Sequence, residues 1–298
     1  MSLAHLFPGQ GSQHPGMGRG LFERFPDLTA QADRILGESI ERLCVSNPDD
    51  KLSNTAHAQP ALFVVNALAH LARLQDEPRQ PSFYAGHSLG EYNALWAAGV
   101  FDFETGLRLV RKRGELMSQA SGGGMAAVIG MPADDLKRAI SDFAFDTLDV
   151  ANYNARLQTV ISGPRRDIED FAAVFEEIKD CRYVVLKVSG AFHSRYMKAS
   201  EAAFERELAA VEMRPSRIPV ISNRHARPYP ASPAEMRSVL ASQISHSVRW
   251  RDSMAHLREA GCTEFREVGP GRVLTGLLKM DADANANASS GVVSGTGS

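Results

Sequence analysis

Cysteine is scarce in this chain of 298 residues. Cys44, Cys181 and Cys262 are odd in number, far apart and show no Cys-x-x-Cys spacing, which leaves neither a disulfide framework nor a thiolate motif for metal or redox work. They read as reduced thiols. Charge of one sign is also lacking: 33 basic against 35 acidic residues give a formal charge of −2, so the chain has neither the basic field that nucleic acid requires nor a polybasic stripe for anionic lipid. No apolar run approaches the about 20 residues that cross a bilayer. The N-terminal Leu3-Ala4-His5-Leu6-Phe7 has the pattern of a strand and not of a secretory leader. A cytoplasmic protein without membrane, nucleic-acid or metal partner is expected, as a monomer. A dinucleotide fingerprint is missing as well, because Gly9-Gln10-Gly11 would need a glycine where His14 stands.

What the chain does have is 44% apolar residues, enough for a large domain carrying a smaller one, and an alternation of patterns. After strand 3–7 and the loop Pro8-Gly9-Gln10-Gly11-Ser12-Gln13 comes a helical region with Leu21, Phe22, Phe25 and Leu28. Ala61, Leu62, Val65, Leu68, Ala69 and Leu71 recur at helical spacing over 59–74, with Pro60 in the first turn. Asp102 is placed to cap a helix that carries Leu107, Leu109, Val110, Arg113, Leu116 and Met117 up to the break at Gly122-Gly123-Gly124.

From position 125 the order becomes strand (125–129), helix (132–143), strand (148–152), strand (159–162), helix (166–179) and strand (183–188). This βαββαβ order is that of a ferredoxin-like unit. Helices at 199–210, 233–244 and 253–260 then alternate with strands at 218–222 and 263–268, which argues for a mainly parallel sheet covered on both faces. The expected class is α/β: a large α/β-hydrolase-like subdomain (1–124 and 190–280), an inserted ferredoxin-like subdomain (125–189) and a flexible tail (281–298) of Asp, Ala, Asn, Ser and Gly.

Gly86-His87-Ser88-Leu89-Gly90 lies between the apolar Phe83-Tyr84-Ala85 and a helix-forming run from Glu91 to Ala98. Glycine and serine are common in loops, but this flanking supplies the strand-turn-helix context of a nucleophile elbow, which exposes a serine over a helix N-terminus. Acyl transfer suits such a serine. A serine hydroxyl needs a general base, usually histidine. His87 adjoins it on the bend, where a lining place fits better, and His5, His57, His70 and His256 sit in ordinary strand or helix patterns. His193 follows the last strand of the inserted unit, where the chain crosses back beside any cleft between the two units; position alone leaves base and structural cap both open.

Arg113 falls on the apolar stripe of its helix with Leu109, Val110, Leu116 and Met117. An inward guanidinium needs an anion, either a structural Asp or Glu or a substrate carboxylate gripped by its planar fork. The small residues around Gln10 could give a backbone N–H beside that of Leu89 for an oxyanion hole.

At this point the residues resemble a known family, the malonyl-CoA:acyl carrier protein transacylases, and most closely the freestanding acyltransferases that serve polyketide synthases in trans. The markers are Phe7-Pro8-Gly9-Gln10-Gly11-Ser12-Gln13, Gln59-Pro60-Ala61, Gly86-His87-Ser88-Leu89-Gly90-Glu91-Tyr92, Arg113-Gly114-Glu115-Leu116-Met117, Gly190-Ala191-Phe192-His193-Ser194 and Glu267-Val268-Gly269-Pro270-Gly271 with Val273-Leu274.

The resemblance implies Ser88 as nucleophile, His193 as base, the Gln10 and Leu89 amides as oxyanion hole, and Arg113 as clamp for a malonyl carboxylate. It implies that the Gln243 main-chain carbonyl orients the histidine, that His87 and Asn154 line the site, and that Phe192 crowds a branched acyl unit. Two departures are His246-Ser247-Val248 where the family has Asn-Pro-Val, and Ala155-Arg156-Leu157 where it has Ser-Pro-Gly. Arg156 is then either a phosphate contact or a solvated surface residue. The implied reaction moves malonyl from malonyl-CoA to carrier-protein domains of a polyketide synthase (or for fatty acid synthesis), with the coenzyme A thioester as substrate and no cofactor. An acyl hydrolase using the same serine and histidine is the alternative, and an idle carrier-docking module a second.

Overall fold

A computed structural model describes residues 2–176, 178 and 180–290. Lys179, the expected end of one helix, and 291–298 of the expected tail lie outside them. Strand β1 (Ser2–Phe7) is central in a parallel sheet, with β2 (Phe83–Gly86) on one side and β8 (Cys262–Glu267) on the other. Leu3, Ala4, His5, Leu6 and Phe7 are all buried, the continuous run that a strand covered on both faces requires. The second sheet is antiparallel: β3 (Gly123–Ile129), β4 (Asp149–Ala155), β5 (Gln158–Pro164) and β6 (Arg182–Val185) lie in the order β4-β5-β3-β6. Strand β7 (Val220–Ile221) completes the parallel sheet beside β2. The expected α/β class with two sheets of different kind is the one observed. Among the described residues no helix is long and apolar enough to cross a membrane.

Several elements differ from the sequence pattern. The helix expected at 59–74 runs from Thr55 to Asp76, because Asn54 caps it by accepting the Ala56 N–H at 2.9 Å, so Pro60 sits inside the helix and not in its first turn. The strand expected over 218–222 keeps two residues; Pro219 has no N–H to give, and Ser222 turns away to bond Arg227. The helix expected at 166–179 is a short turn, Arg165–Asp170, tightened into a 3-10 helix at Phe171–Phe175, where the Tyr183 hydroxyl donates to the Ile168 carbonyl at 2.6 Å. Of the tail expected to be flexible from 281, residues 281–290 continue the helix Val273–Ser290, which is anchored by buried Leu274 and Leu277. Asp281 is buried and accepts the Arg156 N–H at 2.8 Å.

Close packing around the elbow explains two of its glycines. A Cβ on Gly86 would lie 1.9 Å from the Gly90 carbonyl carbon, and one on Gly90 would lie 2.0 Å from the Phe7 carbonyl oxygen. Backbone cannot yield as a side chain tip does, so Gly90→Ala should cost about 3 kcal/mol of stability. Urea unfolding checks this: the midpoint should fall at unchanged slope.

On β1 His5 meets His70 of the long helix, Nδ1 to Nδ1 at 3.3 Å, both buried. Burial, reinforced by nearby arginines for His5 and by its partner for His70, pushes His5 down to about 4 and His70 to about 3. Both are neutral in the folded state, whereas an unfolded histidine titrates near the ordinary value of about 6.5. The unfolded state therefore binds more protons below that pH, and the pair's contribution to stability is full above it and is lost as pH falls toward 4. The slope of unfolding free energy against pH between 5 and 6 should be shallower in His70→Leu; equal slopes would remove the pair from the acid response.

The segment before the helix Trp250–Glu259 lies along the β4 edge of the antiparallel sheet. Asn152 of β4 pairs in parallel with Val248, with Tyr153 N–H to the Val248 carbonyl at 2.9 Å and Val248 N–H to the Ala151 carbonyl at 2.8 Å. The Ser247 hydroxyl donates to the Val150 carbonyl at 2.6 Å.

Candidate active site

Ser88 takes a left-handed backbone, φ +50°, between β2 and the helix Gly90–Ala97. Strain of this kind costs about 1 to 3 kcal/mol and persists where surrounding bonds over-determine it. Here the Ser88 N–H donates to Asn223 Oδ1 at 2.7 Å, and its carbonyl accepts from Gln243 Nε2 at 2.7 Å. His193 is also left-handed, φ +58°, fixed by its N–H on the Ile244 carbonyl at 3.2 Å.

These backbones bring Ser88 Oγ and His193 Nε2 to 2.8 Å. On the far side of the ring, Nδ1 faces the Gln243 carbonyl at 2.9 Å and the His246 carbonyl at 3.2 Å. Carbonyls only accept, so Nδ1 carries the proton and Nε2 is left to accept the serine O–H. The acceptors exist because the helix expected over 233–244 ends at Ser242 and tightens into the 3-10 turn Gln243–Ser245, which frees its last carbonyls. Burial first, and the Arg113 charge second, push His193 down to about 3, so the imidazole is neutral over the working range.

Arg113 is fully buried on the helix Phe103–Ser118, which Asp102 caps by accepting the Thr105 N–H at 2.8 Å. Its Nη1 donates to Gln59 Oε1 at 2.7 Å, and Nη2 donates to Gln243 Oε1 and to Ser88 Oγ, each at 3.0 Å. Among the described residues its Nε has no hydrogen-bond partner. Its hydrogen-bond partners are neutral amides and a hydroxyl, and the buried Glu91 carboxylate acts on it through space, so among the described residues the guanidinium forms no ion pair and one of its nitrogens lies beside the nucleophile.

Ser88, His193, Gln10 and Phe192 line one cavity of about 290 Å³, together with Gln59, Met117, Met125 and Leu186. A larger cleft of about 480 Å³, lined by Lys137, Arg224, Arg249 and Arg251, lies by His246 and is not lined by the reacting pair. Phe192 is buried, and its ring occupies space that a Cβ on Gly190 would enter at 2.7 Å. Leu89 is buried one residue after the nucleophile, at the mouth of the helix. His87 and Asn154 bond each other, Nε2 to Oδ1 at 2.8 Å, with the His87 ring against Trp250, and neither lines the cavity. Arg156 is exposed, and its N–H serves Asp281.

Sequence reasoning missed Asn223, Glu91 and the side chain of Gln59. Asn223 had a positional signal, since it follows a strand of a parallel sheet, where such folds place their sites. Glu91 had another: it is a carboxylate in the first turn of a helix whose Gly90, Tyr92, Asn93, Ala94 and Leu95 are all buried.

Compared with known proteins, residues 4–296 match the family model described as an acyl transferase domain. The polyketide biosynthesis malonyl CoA-acyl carrier protein transacylase PksC of Bacillus subtilis (strain 168) is 54% identical over 286 residues, 95% of this chain and 99% of that one. The crystal structure of malonyl CoA-acyl carrier protein transacylase from Burkholderia pseudomallei superposes with a TM-score of 0.91 at 47% identity, over 95% of this chain and 98% of that one. PlMCAT:AntF, a type II PKS acyl-carrier protein in complex with its malonyl-transacylase, gives 0.89 at 33% identity, over 95% and 94%.

Proposed function

The chain belongs to the acyl transferase domain family, and we propose that it acts through a Ser88 acyl-enzyme as a malonyl-CoA:acyl carrier protein transacylase of polyketide biosynthesis. The observation that carries the residue assignment is the meeting of two groups at one oxygen: His193 Nε2 at 2.8 Å and Arg113 Nη2 at 3.0 Å from Ser88 Oγ. An acyl hydrolase using the same pair would have no need of a buried guanidinium there.

In the first half-reaction Ser88 Oγ attacks the malonyl thioester carbonyl while its proton passes to His193 Nε2. The oxyanion takes the Gln10 and Leu89 amides, each such donor being worth roughly 3 to 4 kcal/mol in the transition state. The C–S bond breaks, His193 returns the proton to sulfur, and coenzyme A leaves. The phosphopantetheine thiol then gives its proton to His193 and attacks the ester, the C–O bond breaks, and His193 returns the proton to Ser88 Oγ. Arg113 holds the malonyl carboxylate throughout. A bound carboxylate also offsets the Arg113 charge that depresses His193, so the base strengthens as the substrate arrives.

Phe192 walls the cavity against a branched unit, a preference of about 1 to 3 kcal/mol for malonyl over methylmalonyl. Every group in this scheme comes from one chain, and it uses coenzyme A thioester as substrate with neither metal nor redox cofactor, in the cytoplasm. The test is mass spectrometry of the protein after malonyl-CoA. One malonyl should map to the peptide holding Ser88 and disappear when carrier protein bearing the phosphopantetheine arm is added; no adduct, or one mapped elsewhere, overturns the assignment.

A further inference from the structure

The assignment of Ser88 leaves a buried carboxylate beside it without a part in the reaction. Glu91 has no solvent exposure. Its Oε1 accepts the Asn223 N–H at 3.3 Å and the Tyr229 hydroxyl, and its Oε2 accepts Gln243 Nε2 at 2.9 Å. Two of those three partners, Asn223 through its main-chain N–H and Gln243 through its side chain, belong to the residues whose side chains grip the Ser88 backbone. Asn223 takes the Ser88 N–H and donates to the Gly86 carbonyl at 2.7 Å. Gln243 donates to the Ser88 carbonyl, accepts from Arg113, and through its main chain orients His193. We propose that Glu91 is a positioning residue for acyl transfer: as a carboxylate it locks Asn223 and Gln243 onto the nucleophile's backbone, and protonation releases them.

Three donors converge on the carboxylate, so a protonated Glu91 must aim its own O–H at one of them. If Gln243 turned its amide to accept that proton, Nε2 would face the Arg113 guanidinium, donor against donor, and the Ser88 carbonyl would lose its partner. Burial raises Glu91 to about 7, against the hydrogen bonds of Tyr229, Gln243 and the Asn223 N–H and the Arg113 charge. The groups facing it are Arg113 from the helix Phe103–Ser118, Tyr229 from the loop beyond β7 and Tyr92 from its own helix. Burial and the Arg113 charge hold His193 well below its ordinary value, and a limb of the rate profile that belonged to it would persist in Glu91→Gln.

This rests on the acyl-enzyme reading, and the experiment separates the two. Single-turnover acylation of Ser88 by malonyl-CoA is followed from pH 5.5 to 8.5 in the full-length protein. In the wild type the rate should fall about tenfold from pH 8 to pH 6, the drop in the ionised fraction of a group with midpoint near 7. Glu91→Gln should be slower at pH 8 and flat across the range. Tyr229→Phe removes a donor that favours the carboxylate, so its midpoint should move up by about one unit. A merely structural role would lower all rates and leave the profile in place, and a limb belonging to the substrate would persist in Glu91→Gln. A flat wild-type profile, a limb unmoved in Tyr229→Phe or a limb retained in Glu91→Gln each overturns the proposal. Absence of acylation at every pH instead overturns the assignment of Ser88.

Discussion

Replacing His193 with alanine is expected to slow formation of the malonyl-Ser88 ester by roughly 10⁴-fold. The other group touching Ser88 Oγ is Arg113, and a guanidinium only donates, so it cannot take the serine proton. His87 cannot substitute, since its Nε2 is engaged by Asn154 and burial lowers its basicity. Residual rate would come from oxyanion donors and substrate binding. Rapid-quench acylation by malonyl-CoA, beside a melting curve showing an intact fold, makes the comparison; a loss below tenfold would place the base elsewhere.

Arg113→Ala is expected to lower kcat/KM for malonyl-CoA by about 10³-fold and that for acetyl-CoA by less than about tenfold. Two charge-assisted hydrogen bonds to a carboxylate, at about 1.5 to 3 kcal/mol each, give 3 to 6 kcal/mol, and every 1.36 kcal/mol is a factor of ten. An acetyl group has no carboxylate to lose. Removing the guanidinium also removes the second cause of the depressed His193 basicity, which offsets part of the damage to acetyl transfer. Steady-state rates with both thioesters decide it, and equal losses would end the clamp assignment while leaving Ser88 as nucleophile.

Local rules made much of this chain legible. The elbow could be read because its strand, turn and helix are contiguous, and the βαββαβ order because each element carries its own period. Asp102 announced its helix by the chemistry of capping. Arg113 could be placed on an inward face, yet nothing in its helix showed that Gln59 and Gln243, 54 and 130 positions away in the chain, would receive it. Position left His193 open between base and cap; what singles it out is a carbonyl freed by a tightened helix end, a feature of the last turn and not of composition. Asn223 and Glu91 escaped because their importance lies in bonds to the Ser88 backbone and to Gln243, made across more than 130 residues. The extra turn before Gln59 followed from one cap, Asn54, and element ends are where such single bonds decide.

The pairing of β4 with Val248 sets a boundary for engineering. By continuing the edge of the antiparallel sheet, the segment around Val248 covers a row of backbone groups that would otherwise invite another chain. The carbonyl of His246, two residues earlier, orients His193. Exchanging 125–189 with a homologue to alter acyl choice would therefore cut through a continuous hydrogen-bonded ribbon unless 246–249 travels with it. The transplantable cassette is discontinuous in sequence, and its second piece is four residues long.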